Sequence, residues 1–288
     1  MEYFGDVYRP PSEARSLIIQ ATVGCSNNQC TFCSMYRADN FRIRPWEEVR
    51  ADLEEMVTRY PMIDRIFIAD GDALILPTDY WVQMLDFIKD RYKNIQRISA
   101  YATALDINRK SHEDLALLRS KGLEMLYIGF ETGDDQLLKD IHKNMTREDY
   151  IQSMEKAHKA GFKTSITLLA GLGGRGRWQE HAKETASLIS ITKPHYVSYL
   201  TVNLVPGTPL YKDSIEGRFQ MPSPEEIQYE IRTFIEEVDA EGTVFRSNHA
   251  SNYVSLKGTL NKDKENMIAT IDHALENKSF RPEYYRSL

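Results

Sequence analysis

Residues 23–36 read VGCSNNQCTFCSMY and contain all three cysteines of the 288-residue chain, at the spacing C-x4-C-x2-C. Thiolates are soft ligands that suit zinc or iron–sulfur clusters. A structural zinc site needs four protein ligands, and the chain has no fourth cysteine. Three thiolates can instead hold a four-iron, four-sulfur cluster by three corners and leave one iron open. Buried structural cysteines are the alternative, but the polar residues around these three favour a metal or cluster site.

The composition excludes several classes of protein. Charged residues make up 27% and hydrophobic residues 42% of the chain, which indicates a soluble globular protein with a sizeable core. The net charge of −6 disfavours a general binder of phosphate backbones, since such proteins are usually basic. Residues 1–11 lack an apolar signal region, and prolines interrupt the long uncharged run 194–211, which disfavours a membrane span. With so few cysteines, these features predict a cytoplasmic protein.

Short apolar runs alternate with segments of helical periodicity along most of the chain. Such alternation predicts a parallel sheet covered by helices. The predicted strands are residues 16–22, 64–69, 96–101, 124–130, 163–170 and 195–203, and the predicted helices are residues 45–60, 79–92, 111–120, 134–141, 146–160 and 178–191. Six units are too few for an eight-stranded barrel, so the predicted fold is an α/β partial (β/α)6 TIM-like barrel.

The pattern changes after residue 211. An acidic amphipathic helix is predicted over 224–240 and another helix over 262–277, while residues 243–258 show little regular signal. We therefore predict a barrel core at residues 1–211 and a mostly helical cap at residues 212–288.

Unusual residues follow each predicted strand. The cysteine loop follows the first strand, Asp70-Gly71-Asp72 the second, residues 101–103 the third, and Glu131 the fourth. A glycine loop beginning at Gly171 follows the fifth, and a Pro-Gly-Thr-Pro turn follows the sixth. In parallel α/β folds the loops at the carboxyl ends of the strands converge, so these positions are predicted to share one rim.

Taken together, residues 8–211 resemble the radical S-adenosylmethionine (radical SAM) superfamily, most closely its coproporphyrinogen-oxidase/Elongator-like branch. The resemblance implies a [4Fe-4S] cluster held by Cys25, Cys30 and Cys33, with SAM bound to the open iron through its amino and carboxylate groups. Reductive cleavage of SAM would give a 5′-deoxyadenosyl radical that abstracts hydrogen from a substrate. The cofactors would supply this chemistry, while the protein binds and orients them.

The resemblance also implies roles for residues at the strand ends. Asp70-Gly71-Asp72 stands where the family has a Gly-Gly-Glu-type turn that binds the amino group of SAM. A carboxylate beside a cationic amine is electrostatically favourable. The other implied cofactor residues are Phe32 before the last cysteine, Ser99 near SAM, Glu131 and Thr167 at the ribose, Lys143 at the methionine carboxylate, and Gly171 and Leu172 against the adenine.

The cysteine spacing departs from the family pattern. The family usually has C-x3-C-x2-C, whereas one further residue separates Cys25 from Cys30 here. We interpret the additional residue as a loop bulge that leaves the ligand role of Cys25 intact.

The substrate class is narrowed by what the chain lacks. Sulfur insertion and methylthiolation need an auxiliary cluster, and no further cysteines are present. A cobalamin domain before the cysteine loop and a basic tRNA-binding domain are not expected in this acidic chain. A small-molecule substrate is therefore predicted, with an electron donor such as flavodoxin or ferredoxin as partner.

Residues 247–253 are the predicted substrate contact, since His249, Asn252 and Tyr253 place an imidazole, an amide and a phenol in one irregular segment. An equally weighted alternative is that these side chains form hydrogen bonds to buried backbone groups and have no role in substrate binding. Two other functions stay open: an RNA-modifying radical SAM enzyme, which would bind tRNA in a salt-dependent way, and a non-catalytic metal or redox-sensing protein that uses the same thiols.

Overall fold

The computed structural model describes residue 1 and residues 3–286, which form a mixed α/β fold. The strands are β1 (Leu17–Gln20), β2 (Thr22–Val23), β3 (Arg42–Ile43), β4 (Arg65–Ala69), β5 (Arg97–Ala102), β6 (Leu123–Glu131), β7 (Lys163–Ala170), β8 (Tyr196–Thr201), β9 (Val244–Ser247) and β10 (Leu256–Thr259). The helices are α1 (Trp46–Arg59), α2 (Thr78–Arg91), α3 (Ala104–Arg109), α4 (His112–Ser120), α5 (Asp135–Asp140), α6 (Arg147–Lys159), α7 (Gly174–Thr192), α8 (Pro209–Ile215), α9 (Pro224–Glu237) and α10 (Lys264–Asn277).

The described residues divide into two compact units. The first unit comprises residues 1–28, 35–128 and 152–164, and the second comprises residues 29–34, 129–151 and 165–288. The predicted division at residue 211 stays a prediction. Cys25 belongs to the first unit, and Cys30 and Cys33 belong to the second.

In the first unit, β1, β4, β5 and β6 pair in that order and all run parallel. Ile19 lies opposite Ile68, Ile68 opposite Ala100, and Ala100 opposite Leu126. All four side chains are fully buried. Branched or small residues at one level of a parallel sheet are typical of strands buried on both faces.

In the second unit, β7, β8 and β9 are parallel neighbours, and β10 pairs antiparallel with β9. Helix α9 starts at a capping box in which Ser223 and Glu226 satisfy each other's backbone N–H groups. Its apolar face is buried through Ile227, Ile231 and Phe234. This helix therefore packs in the core of its unit.

The predicted α/β class is confirmed, and the six predicted strands correspond to β1 with β2, and to β4–β8. The structure adds β9 and β10, which lie almost entirely in the segment 243–258, where the sequence shows little regular signal. It also adds the short helices α3 and α8. No helix in the described part of the chain is long and apolar enough to cross a membrane.

Candidate cofactor site

The turn after β4 packs directly against Cys25. The Gly71 N–H donates to the Gly24 carbonyl at 3.1 Å. A Cβ atom at position 71 would lie 2.7 Å from the Cys25 Cβ and 2.9 Å from the Tyr36 ring. Only glycine permits so close an approach, which brings the turn and the cysteine together as the sequence predicted.

Asn28 has a backbone conformation that accommodates a longer loop. Its φ of +40° lies in the left-handed region, which asparagine tolerates better than most residues. Its side-chain amide donates to the carbonyls of Tyr36 at 2.7 Å and Asp39 at 3.2 Å. These contacts agree with a loop bulge between Cys25 and Cys30, although the bulge itself stays an interpretation.

Asp70 shapes the turn from within. Its Oδ2 accepts hydrogen bonds from the Gln20 amide at 2.8 Å and from the Gly24 N–H at 3.1 Å. Burial raises the pKa of Asp70 to about 6, and these two hydrogen bonds oppose the shift. Asp70 thus shapes the turn through its Oδ2, while its buried Oδ1 has no hydrogen bond within the described residues.

Asp72 is fully buried and accepts a hydrogen bond from the Ser26 hydroxyl. Burial, and then the neighbouring Asp106 carboxyl, raise the pKa of Asp72 to about 9. Among the described atoms, neither the Asp72 Oδ1 nor the buried Ser99 hydroxyl has a hydrogen-bond donor or acceptor that satisfies normal geometry. A buried carboxyl group of this kind suits a cationic ligand that would restore its charge.

Asp106 is a site residue that the sequence did not reveal. Asp106 is 2% exposed. The Thr103 hydroxyl, which caps α3, accepts from the backbone N–H of Asp106 and donates to the Asp106 carboxylate. The spacing Thr-x-x-Asp resembles an ordinary helix start. Nothing in that pattern indicates that Asp106 faces Asp72.

In the second unit, backbone hydrogen bonds on both sides of Thr31 hold the short segment between Cys30 and Cys33 in place. The Thr31 N–H donates to the Ile141 carbonyl, and the Leu210 N–H donates to the Thr31 carbonyl, both at 3.0 Å. Phe32 packs against an apolar cluster. That cluster consists of Leu137, Ile141, Leu172, Val202 and Leu210.

Glu131 and Lys143 form a buried ion pair. The Lys143 Nζ lies 2.9 Å from the Glu131 Oε1, and the two side chains are 12% and 10% exposed. Burial lowers the pKa of Lys143, but Glu131, Tyr150 and Cys30 together raise that pKa well above its usual value. The ammonium group is therefore charged and near the Cys30 thiol.

Gly129 makes room for this pair. A Cβ at Gly129 would lie 2.2 Å from the Glu131 Oε1 and 3.3 Å from the Lys143 Nζ. Residues two apart on a strand share a face, so a glycine two positions before Glu131 was a signal available in the sequence.

Lys143→Met is expected to destabilise the protein by about 3–5 kcal/mol, because it leaves the buried Glu131 carboxylate without its cation. Urea denaturation at neutral pH would measure the change. Lys139→Met, at an exposed position nearby, is the control and should change stability little. Equal stability of the two variants would contradict the importance of the ion pair.

The loop after β7 begins at Gly171, whose φ is +82°. Its N–H donates to both carboxylate oxygens of Glu230, at 3.0 and 3.1 Å. Leu172 is 1% exposed, and Thr167 is half-buried on β7 opposite Ser198. The loop is therefore tied to helix α9.

The three predicted substrate residues differ in their surroundings. Asn252 is 1% exposed; its amide donates to the Tyr199 carbonyl and accepts from the Thr201 hydroxyl, both at 2.9 Å. Tyr253 donates to Glu283 at 2.6 Å. Burial, and then the charge of Arg281, lower the pKa of His249. The hydrogen bonds of the Asn252 side chain are therefore made to other parts of the protein. Tyr253 lines a cavity.

All three cysteines are partly exposed. Such thiols suit a soft metal centre, and the close fit of Gly71 against Cys25 leaves that thiol beside the turn. Within residues 1 and 3–286, no three His, Cys, Asp or Glu side chains are arranged to hold a metal ion. The three thiols are of the donor type that fits a [4Fe-4S] cluster.

Comparison with known proteins gives consistent results. Residues 19–189 match the family model described as "Radical SAM superfamily". The heme chaperone HemW of Bacillus subtilis is 27% identical over 221 residues, 74% of this chain and 57% of HemW. A tRNA-2-methylthio-N(6)-dimethylallyladenosine synthase of Bdellovibrio bacteriovorus is 23% identical, over 60% of this chain and 38% of its own length. The chain thus spans about half the length of these curated relatives or less.

Solved structures share the fold. Coproporphyrinogen III oxidase (HemN) of Escherichia coli, a radical SAM enzyme, has a TM-score of 0.57 at 17% identity, covering 78% of this chain and 54% of that one. The methyltransferase TsrM of Kitasatospora setae, with cobalamin and a [4Fe-4S] cluster bound, also has a TM-score of 0.57, at 16% identity. That match covers 70% of this chain and 37% of TsrM.

Proposed function

Because the chain belongs to the radical SAM superfamily, we propose that it is an enzyme that binds one [4Fe-4S] cluster through Cys25, Cys30 and Cys33 and binds SAM beside it. When bound, the two cofactors supply reductive cleavage of SAM to a 5′-deoxyadenosyl radical for hydrogen abstraction. The observation that carries the proposal is the packing of the Gly71 turn against Cys25.

Two charged groups would orient SAM. The buried Asp72 carboxyl would accept the amino group, since an ammonium ion nearby restores its negative charge. The Lys143 ammonium, charged in the buried pair with Glu131, would attract the methionine carboxylate.

A cavity of about 440 Å³ in the second unit supports a small-molecule substrate. Its apolar wall is formed by Val202, Leu204 and Met221, which also pack in the cluster that contacts Phe32. Its polar wall is formed by Tyr253, Glu283 and Arg286. A cavity with one apolar wall and one polar wall would suit a small ligand that carries both kinds of group.

The proposed enzyme needs an electron donor, and a flavodoxin or ferredoxin is the proposed partner. Reduced thiols fit a reducing compartment, which we propose to be the cytoplasm.

Anaerobic reconstitution with iron and sulfide tests the proposal. With dithionite and SAM, the cluster-loaded protein is expected to release 5′-deoxyadenosine and methionine, measured by liquid chromatography. A cluster-loaded protein that releases neither would contradict the enzymatic function. One bound zinc ion and no iron would instead support a metal-sensing protein.

A further inference from the structure

The Glu230 carboxylate on α9 is fully buried and joins four elements of the second unit. Besides the Gly171 N–H, it accepts the hydroxyl of Tyr199 on β8 at 3.2 Å. The Nδ1 of His181, on α7, lies 3.2 Å from the same Oε1. Glu230 also lies outside residues 19–189, the part of the chain that matches the family.

The peptide group between Ala170 and Gly171 is fixed at both ends. Its N–H is the Gly171 group bound by Glu230. Its carbonyl, from Ala170, accepts the Val202 N–H at 2.9 Å. With both its N–H and its carbonyl hydrogen-bonded, this peptide has a defined orientation at the point where the chain leaves β7.

Gly171 itself packs closely against the side chain of Ile227 on α9. Gly171 has a φ of +82°, and a Cβ there would lie 2.6 Å from the Ile227 Cδ1. The start of the loop is therefore joined to α9 by a close contact with Ile227 and by the hydrogen bonds to Glu230.

We infer that Glu230 is a positioning residue for SAM: it holds the 170–171 peptide so that the backbone of Gly171 and Leu172 can lie against the adenine. The inference rests on the proposed function, in which this loop contacts SAM. It makes α9, beyond the family-matched region, part of the cofactor site.

The test compares Glu230→Leu with Glu230→Gln and Tyr199→Phe. Leucine has a similar volume but an apolar side chain, so Glu230→Leu removes the acceptor and leaves the buried Gly171 N–H without it. Glutamine retains an oxygen for the Gly171 N–H. Tyr199→Phe removes another donor to the same carboxylate and leaves the Gly171 bond in place, so it is the matched control.

Equilibrium dialysis of the cluster-loaded proteins against SAM, without reductant, measures the dissociation constant. Glu230→Leu is expected to weaken SAM binding about tenfold, because a buried N–H loses its acceptor. Glu230→Gln should weaken it no more than about threefold, and Tyr199→Phe should leave it unchanged. The KM for SAM should rise in parallel, while kcat at saturating SAM stays near that of the unaltered protein.

Circular dichroism and iron content establish that each variant is folded and loaded. If Glu230→Leu does not fold, a Glu230→Gln variant that binds SAM more weakly than Tyr199→Phe supports the inference. Unchanged SAM binding in every folded Glu230 variant overturns it while the proposed function stands. Failure of the unaltered, cluster-loaded protein to bind SAM overturns both.

Discussion

Cys30→Ala is expected to reduce both the bound iron and the release of 5′-deoxyadenosine to background. The proposed cluster has three protein ligands, and removing one thiolate opens a second iron to solvent and oxidant. The loop itself should survive the change, because two backbone hydrogen bonds that do not involve the thiol hold it: Thr31 donates to the Ile141 carbonyl and accepts from the Leu210 N–H. The loss of activity would therefore report on ligation.

Iron analysis and the absorbance of the reconstituted protein near 400 nm, measured under anaerobic conditions, check this expectation. Ser34→Ala is the control: it is an exposed residue next to Cys33 and carries no thiol. It should retain full iron content and activity. A Cys30→Ala protein with the iron content of the unaltered protein would remove Cys30 from the ligand set.

Much of the fold could be predicted because periodicity reflects burial. Strand β6 was predicted at 124–130 and lies at Leu123–Glu131, in a run that is buried along most of its length. Strands β9 and β10 were missed since each has only four residues, with the charged Arg246 and Lys257 inside them. They are strands because β8 offers an edge to pair with, a tertiary effect that overrides local preference.

In the candidate site, too, features of the local sequence could be predicted, and contacts between distant parts of the chain could not. The cysteines and the Asp70-Gly71-Asp72 turn are evident because unusual residues adjoin each other in the chain. Glu230 could not be predicted, since it binds the Gly171 N–H from 59 residues away and sits in a helix with many other acidic residues. Asp106 was hidden for the same reason: its local pattern marks only a helix start.

Asp72→Asn is expected to stabilise the free protein and to weaken SAM binding. The buried Asp72 has a folded-state pKa of about 9 against 3.8 for an ordinary aspartate. Between these two values the folded state holds a proton that the unfolded state has released. The contribution of Asp72 to the free energy of unfolding is therefore fully retained below pH 3.8 and is lost as the pH rises toward 9. Asparagine does not titrate and imitates the protonated carboxyl group.

The stability gain should therefore grow with pH, from near zero at pH 4 to roughly 2–4 kcal/mol at pH 8. Urea denaturation of the cluster-free protein at both pH values measures it. Asp106 shares the titration, so the pH range belongs to the pair of carboxyl groups. Asp90→Asn, at an exposed position, should show no comparable pH-dependent gain.

SAM binding should change in the opposite sense. The proposed ammonium contact needs a negative charge, and Asp72→Asn is expected to weaken binding roughly 100-fold because a desolvated charge pair is lost. Since binding would return Asp72 to its ionised form, the unaltered protein should release about one proton per SAM bound near pH 7.5. Calorimetry in two buffers of different ionisation enthalpy detects that proton. A variant that binds SAM as tightly as the unaltered protein, with the same proton release, would show that the amino group lies elsewhere.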